Sequence, residues 1–437
     1  MKKLPHLLVC DKDGNIFPHP TLKMAGRSAD SLVEVFAEEL IPLPQGSEIF
    51  SLPRRVPWGF DEETGEFVAV EKGPNGEEVW GVAAFMAPAH TQFLLPAYRA
   101  LPDAPRLPLF AYTAVGDLDG RLWVAGCRVD PDRRQDPPTF DLDLVREKVA
   151  LALEASPENR LVHHLSQCAL VNSCPAAKNF FLGRYEAPLP TSPACNSDCV
   201  GCLSFQPPEA GFPSTQRRIQ FVPSVEEIAE VAVGHLQTAP NPVASFGQGC
   251  EGDSLLNGPL LADAIRLIRA RTPRGTLNIN TNGSRPDWVR LMMEAGLNAI
   301  RVSMNSAQEA WYRAYYRPRG YGFSQVVDSL REVVRGGGRA SINYFVFPGV
   351  SDREAELEAL LNLVRETGLH LIQWRNLNID PDLYLKTLGP LEGAGRALGI
   401  PFLLKEIRRQ FPSLRHGYFN PAWSTETGGP QAEAVST

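Results

Sequence analysis

Three cysteines stand close together in the run Ala194-Cys195-Asn196-Ser197-Asp198-Cys199-Val200-Gly201-Cys202. Their spacings let one short loop wrap three thiols around a single metal centre. A structural zinc site wants a fourth protein ligand, usually from a second Cys or His pair at matching spacing, and no such pair follows in this half of the chain. Thiolates also hold iron–sulfur clusters, normally four of them on a cubane. Three thiols leave one iron open, and an open metal position belongs to a catalytic rather than a structural site.

Such a loop needs a frame. Beyond residue 185 the sequence repeats strand, loop and helix, the pattern of a parallel sheet with crossover helices. Helices are expected over 225–237, 255–270, 286–295, 324–335 and 353–367, and strands over 243–246, 276–280, 299–304, 341–347 and 369–374. The first helix opens on Ser224-Val225-Glu226-Glu227, a capping-box spacing. With a short strand before Cys195 this makes six β/α units, too few to close an eight-stranded barrel. The expectation is an open, partial barrel with its site at the C-terminal strand ends. Residues 1–145 read differently, as short apolar runs broken by Asp13-Gly14, Thr64-Gly65, Asn75-Gly76 and Asp119-Gly120. That is the punctuation of antiparallel hairpins, the clearest being 109–115 and 121–129 joined by a loop over 116–120. A helix is expected over 141–155. The resulting division is a β-rich domain over 1–160, a linker over 161–186, the partial barrel over 187–390, a helical extension over 391–424 and a disordered tail from 425.

Composition limits what else the chain does. Of 437 residues 43% are hydrophobic and 21% charged, which is globular. Lys plus Arg is 43 against 50 Asp plus Glu, so the net charge of −7 and the lack of a basic arm argue against nucleic acid. No run reaches the roughly 18 apolar residues of a membrane helix. The start, MKKLPHLLVC, is too short in its apolar part and is interrupted by Pro5, so it reads as a first strand rather than a signal, and the chain as cytoplasmic. Eight cysteines are too sparse for a disulfide scaffold, and their clustering suits metal chemistry in a reducing compartment.

The C-x3-C-x2-C loop of Cys195, Cys199 and Cys202, placed just after the first strand of a β/α series, resembles the radical S-adenosylmethionine superfamily over about residues 187–390. The resemblance implies that these cysteines hold a [4Fe-4S] cluster whose fourth iron is chelated by S-adenosylmethionine, and that reductive cleavage gives a 5′-deoxyadenosyl radical that abstracts a hydrogen atom. A low-potential donor such as flavodoxin or ferredoxin is implied with it, acting for a small-molecule or peptide substrate. Ser245-Phe246-Gly247-Gln248-Gly249-Cys250-Glu251-Gly252-Asp253 stands where the family has a Gly-Gly-Glu-Pro-like segment, so Glu251 is the candidate for the methionine amino group, although Cys250 and Gly252 depart from that pattern. By the same resemblance Asn282, Ser303 and Asn305 bind the cosubstrate. Arg301 shares the strand face of Ser303 and Asn305 by the two-residue period and is a candidate carboxylate partner. Asn343, Gln373 and Arg375 are polar residues in otherwise buried strands, candidates for the adenine or substrate end. The reading from another class is a non-catalytic iron–sulfur or zinc binding module, an electron carrier or sensor.

Two further motifs carry less. Cys168 and Cys174 stand six apart before the barrel, and an auxiliary cluster would have to add Cys10, Cys127 or Cys250 to them; buried thiols are the expectation. Cys250 itself is expected beside S-adenosylmethionine. Asp11-Lys12-Asp13-Gly14 resembles the phosphatase loop of haloacid-dehalogenase-like enzymes, but its surroundings read as hairpins, and an Asp-Gly turn is expected.

Overall fold

The structure, a computed structural model, describes residues 3–423; the tail expected from residue 425 lies outside the described residues.

The first part is antiparallel, as its turn dipeptides require. His6–Asp11 pairs with Ile16–Met24, and the Asp11 carboxylate accepts from the backbone N–H groups of Asp13 and Asn15 to form the turn between them. The Asp-x-Asp-Gly motif is thus a hairpin turn. The Asp119-Gly120 hairpin is tighter than expected. Val115–Leu118 already forms the first strand, and Asp119 at φ 54° with Gly120 at φ 78° makes a two-residue turn of the primed kind that matches strand twist.

Three helices follow: α1 (Leu142–Ala155), α2 (Arg160–Leu170) and α3 (Pro175–Phe181). The last two fill most of the stretch expected to be a linker. Asn159 caps α2 by accepting from Leu161 N and Val162 N, and the helix buries Leu161, Val162, Leu165 and Cys168 along one stripe.

The second part is a seven-stranded sheet in sequential order, every pair parallel: Glu186–Leu189, Val243–Phe246, Thr276–Thr281, Ala299–Met304, Arg339–Val346, Leu371–Asn376 and Arg415–Gly417. The helices include α4 (Val225–Thr238), α5 (Gly258–Arg271), α6 (Pro286–Ala295), α7 (Glu309–Tyr316), α8 (Phe323–Arg335), α9 (Glu354–Thr367), α10 (Pro381–Leu388) and α11 (Ile400–Gln410). Six units were expected. The seventh strand comes from the stretch expected to be helical throughout; three residues, Arg-His-Gly, carry no strand pattern to read. Along the fifth strand Ala340, Ile342, Tyr344 and Val346 are fully buried, while Ser341, Asn343 and Phe345 take the other face.

Two features set the surroundings of the strand ends. Residues 418–423 run back across the sheet, where Asn420 bonds Glu186 of the first strand and Gln373 of the sixth. Trp423 exchanges bonds with Thr276 of the third. The N-terminal part docks on the ends of the fifth and sixth strands. Asn376 Oδ1 accepts from Thr91 Oγ1 and Gln92 N, Ala29 N donates to Pro348 O, and Arg55 pairs with Asp380 at 3.1 Å, both side chains buried.

Candidate functional site

The cysteine loop is held by backbone bonds. Asp198 N and Val200 N donate to the carbonyls of Tyr316 and Tyr315, the last residues of α7, and Arg319 donates to Cys195 O. Gln206 Nε2 ties Val200 O and Cys202 O from the other side. Side chains of α7 and of the turn after it wall the loop: Tyr321 Oη lies 2.7 Å from Ser197 Oγ and 3.2 Å from Tyr312 Oη. Arg218 approaches Cys202 Sγ at 3.6 Å. Burial pushes the Cys195 thiol up to about 11, and burial with the two neighbouring thiols pushes Cys199 well up too. Thiolates here therefore need a cationic partner, which fits the donor set to a metal cluster.

The loop after the second strand braces the cysteine loop. Gly252 N donates to Ser192 O, and a Cβ at Gly252 would stand 1.9 Å from Ala194 O, so only glycine admits this approach. Gly247, at φ 78°, likewise has no room beside Asn280 O. The Glu251 carboxylate accepts from Thr191 N, Ser192 N, Gln248 N and Ser254 Oγ, all within 2.9 Å. Burial pushes Glu251 up to about 7 against the pull of those four donors. The structure thus places Glu251 as a strut between the loops after the first two strands, turned inward, rather than as a free carboxylate. Asp253, two residues on, accepts from Thr281 Oγ1 and Asn282 N and so ties in the third strand end. Asn282 completes the link, donating to Asn196 Oδ1 at 2.7 Å and Ser197 Oγ at 3.1 Å inside the cysteine loop.

Deeper in the sheet the expected polar residues fall on one interior face. Arg301 donates to Gln373 Oε1, and Gln373 donates to Asn420 Oδ1 and Phe419 O. Arg375 lies 3.8 Å over the Tyr418 ring and donates to Tyr418 O. Arg301 Nε, Arg375 Nε and Asn343 Oδ1 are buried without a protein partner. Burial, then the like charge of Arg375, lowers Arg301 to about 9. Two guanidiniums with an unpartnered N–H each make a place where an anionic group offsets their burial. Ser303 is half-buried on the same strand face as Arg301. Asn305 departs from that set: its amide donates to Trp311 O and Tyr384 Oη, fixing α7 and α10, with Oδ1 left unpartnered.

Cys250 turns away from the strand ends toward α2. Its Sγ lies 3.4 Å from His164 Nε2, and Cys168 Sγ lies 3.6 Å from the same nitrogen. Among the described residues these three are the one trio of His, Cys, Asp or Glu whose ligand atoms all lie within 4.8 Å of one another. Cys195, Cys199 and Cys202 do not converge so far, as suits a cluster that distributes its thiolates over different irons. Cys10 belongs to the core of the N-terminal part.

Fold and loop together define a partial β/α barrel with a three-thiol mouth. Residues 189–361 match the family model described as Radical SAM superfamily. Similar solved structures include HydG, a maturase of the [FeFe]-hydrogenase, at 13% identity over 57% of this chain and 60% of that one, TM-score 0.34. They also include a radical SAM methyltransferase from Sphaerobacter thermophilus, at 14% identity over 49% of this chain and 70% of that one, TM-score 0.34. Methylornithine synthase (PylB) is similar at 15% identity over 63% of this chain and 74% of that one, TM-score 0.36. The chain spans less than two thirds of the HydG chain. None of the curated proteins matches it. No helix of the described residues is long and apolar enough to cross a membrane.

Sequence reasoning missed Asp253, the α7 carbonyls and His164. Asp253 follows Glu251 and Gly252 directly, and His164 stands four residues before Cys168, one helical turn, so both had a local signal. The α7 carbonyls had none, because backbone groups leave no mark in side-chain patterns.

Proposed function

We propose that this chain is a radical S-adenosylmethionine enzyme in which Cys195, Cys199 and Cys202 hold a [4Fe-4S] cluster and S-adenosylmethionine binds at the adjoining strand ends. The observation that carries the reading is the three-thiol loop after the first parallel strand of a domain that matches the superfamily. When bound, the cluster and cosubstrate supply the electron and the 5′-deoxyadenosyl radical for hydrogen-atom abstraction. The chain's own residues position and shield. Glu251 and Asp253 fix the loops, Asn282 sets the cysteine loop against the third strand, and the tyrosines of α7 exclude water from one side. Ser303 and the free Oδ1 of Asn305 are the polar groups for the cosubstrate, with Arg301 and Arg375 for a carboxylate. Asn343 and Gln373 lie at the adenine or substrate end.

The barrel over 187–390 carries this chemistry, and the β-rich part over 1–160 forms a wall at the ends of the fifth and sixth strands. There Thr91 and Gln92 approach Asn376, a position for contact with a small-molecule or peptide substrate. A flavodoxin or ferredoxin is the fitting electron donor. The test is anaerobic reconstitution with iron and sulfide, followed by S-adenosylmethionine and dithionite, with 5′-deoxyadenosine as the readout. Formation that disappears in Cys199→Ala supports the reading. A cluster that cleaves nothing under reductant, or no cluster, favours a non-catalytic metal-binding module.

A further inference from the structure

His164, Cys168 and Cys250 form a second thiol group that the reading above does not use. His164 and Cys168 lie at i and i+4 on α2, so both project from one face of the helix. Cys250 comes from the loop after the second strand, 86 residues from His164. The two sulfurs share one nitrogen, His164 Nε2, at 3.4 and 3.6 Å. A single imidazole nitrogen has one lone pair or one proton to offer, so it satisfies one thiol well and not two, and the second thiol is left to bond the first. The same three atoms suit a shared ion better. With bonds of about 2.0 Å to nitrogen and about 2.3 Å to sulfur, a tetrahedral zinc holds its N and S ligands about 3.5 Å apart. The observed separations bracket that edge.

We propose that His164, Cys168 and Cys250 bind a single divalent ion of the zinc type, with a water in its fourth position, separate from the site of Cys195, Cys199 and Cys202. Binding displaces one proton from each thiol, and two thiolates with a neutral imidazole balance the dication, so the buried site carries no net charge. An iron–sulfur cubane does not fit, because its thiolates sit on different irons and stand further apart than this trio. The ion joins two pieces that no described disulfide links. One is α2; the other is the loop whose next residue, Glu251, braces Thr191 and Ser192 ahead of the cysteine loop. The inference does not depend on the radical reading, since it rests on ligand distances at another place in the fold.

The test starts from the full chain with Cys195→Ala, Cys199→Ala and Cys202→Ala combined, which removes the other thiol loop. Titration of this variant with cobalt(II) under anaerobic conditions is expected to give the ligand-field bands of a tetrahedral ion with thiolate charge transfer. These should saturate at one equivalent and be displaced by zinc. Adding Cys168→Ser and Cys250→Ser, or His164→Gln alone, is expected to abolish them. Bands that persist in all of these variants overturn the proposal, as does a parent that takes up no cobalt while its circular dichroism shows it folded. Iron bound with stoichiometric sulfide at this place would also overturn it in favour of a cluster. His164 is only half-buried, so His164→Gln gives a folded comparison even where the double serine variant does not.

Discussion

The molecule holds two groups of side chains of the kinds that ligate metals, made from the same chemistry and arranged in opposite ways. Cys195, Cys199 and Cys202 come from eight consecutive positions and stay apart in space, their loop held open by the Tyr315 and Tyr316 carbonyls on one side and Gln206 on the other. His164, Cys168 and Cys250 come from two distant segments and converge within 4.8 Å. Closeness in sequence therefore does not set closeness in space. A short loop with its backbone clamped outward keeps its thiols apart, whereas a helix face opposed by a loop brings them to one point.

The sharpest way to break the comparison is a double dissociation. Cys199→Ala is expected to lose the cluster's iron and sulfide and all 5′-deoxyadenosine formation while retaining the single ion. Cys250→Ser is expected to lose the ion and keep measurable cluster iron. Metal analysis of both variants by mass spectrometry checks this, and iron and zinc lost together in each would mean that the two groups are one site. Next in size is Gly252→Ala. Its Cβ would meet the Ala194 carbonyl at 1.9 Å, a clash with backbone that no rotamer relieves. The expected cost is about 1–3 kcal/mol, the range of overpacked sites. The denaturation midpoint should fall and cluster retention with it, because Ala194 precedes Cys195. Gly234→Ala, in α4 with nothing within 4 Å of the added carbon, is the control and should stabilise by about 0.5–1 kcal/mol.

What was legible in the sequence follows the same division between local and distant. The strands Val243–Phe246 and Ala299–Met304 and the helix Pro286–Ala295 were expected at their observed bounds, because period, caps and turn residues are all local signals. The capping box at Ser224 and Glu227 is present with both of its bonds. The cysteine loop was legible for the same reason. Glu251 was singled out by its place after the second strand, but nothing local told that Thr191 N and Ser192 N from the loop after the first strand would join Gln248 N and Ser254 Oγ of its own loop around its carboxylate. The meeting of Cys250 with α2, the return of Asn420 across the sheet and the seventh strand all depend on long-range packing. Patterns of two or four residues do not encode such contacts.

Asp253→Asn probes the brace between the second and third strand ends at lower amplitude. The carboxylate accepts three donors, Leu255 N, Thr281 Oγ1 and Asn282 N, and an amide nitrogen in place of one oxygen leaves a buried donor without an acceptor. The expected cost is about 1–3 kcal/mol. Affinity for S-adenosylmethionine should fall as well, because Asn282 loses its anchor, whereas cobalt uptake at His164, Cys168 and Cys250 should not change. A variant that loses cobalt instead would tie the two groups more closely than their geometry does.

The smallest effect lies at the base of α2 and tests whether the convergent group depends on how that helix is seated. Glu227 accepts from Arg160 Nε at 2.8 Å and Nη2 at 2.7 Å, from Arg160 N, and from Ser224 N, so one carboxylate joins the start of α2 to the cap of α4. The Arg160 guanidinium holds Glu227 down to about 2, from an ordinary 4.5. A carboxylate with a depressed folded value adds stability that is complete above its unfolded value and is lost as the pH falls through its folded value. Glu227→Gln is therefore expected to destabilise by about 1 kcal/mol at neutral pH, the scale of a cap with an exposed ion pair. The gap between variant and parent should close as the pH falls from about 4.5 toward 2, followed as the difference between their urea midpoints. Cobalt affinity in the loop-free background should weaken slightly with it, since His164 and Cys168 ride on the helix that Arg160 begins. A gap independent of pH would show that the cap's hydrogen bonds, and not its charge, seat α2.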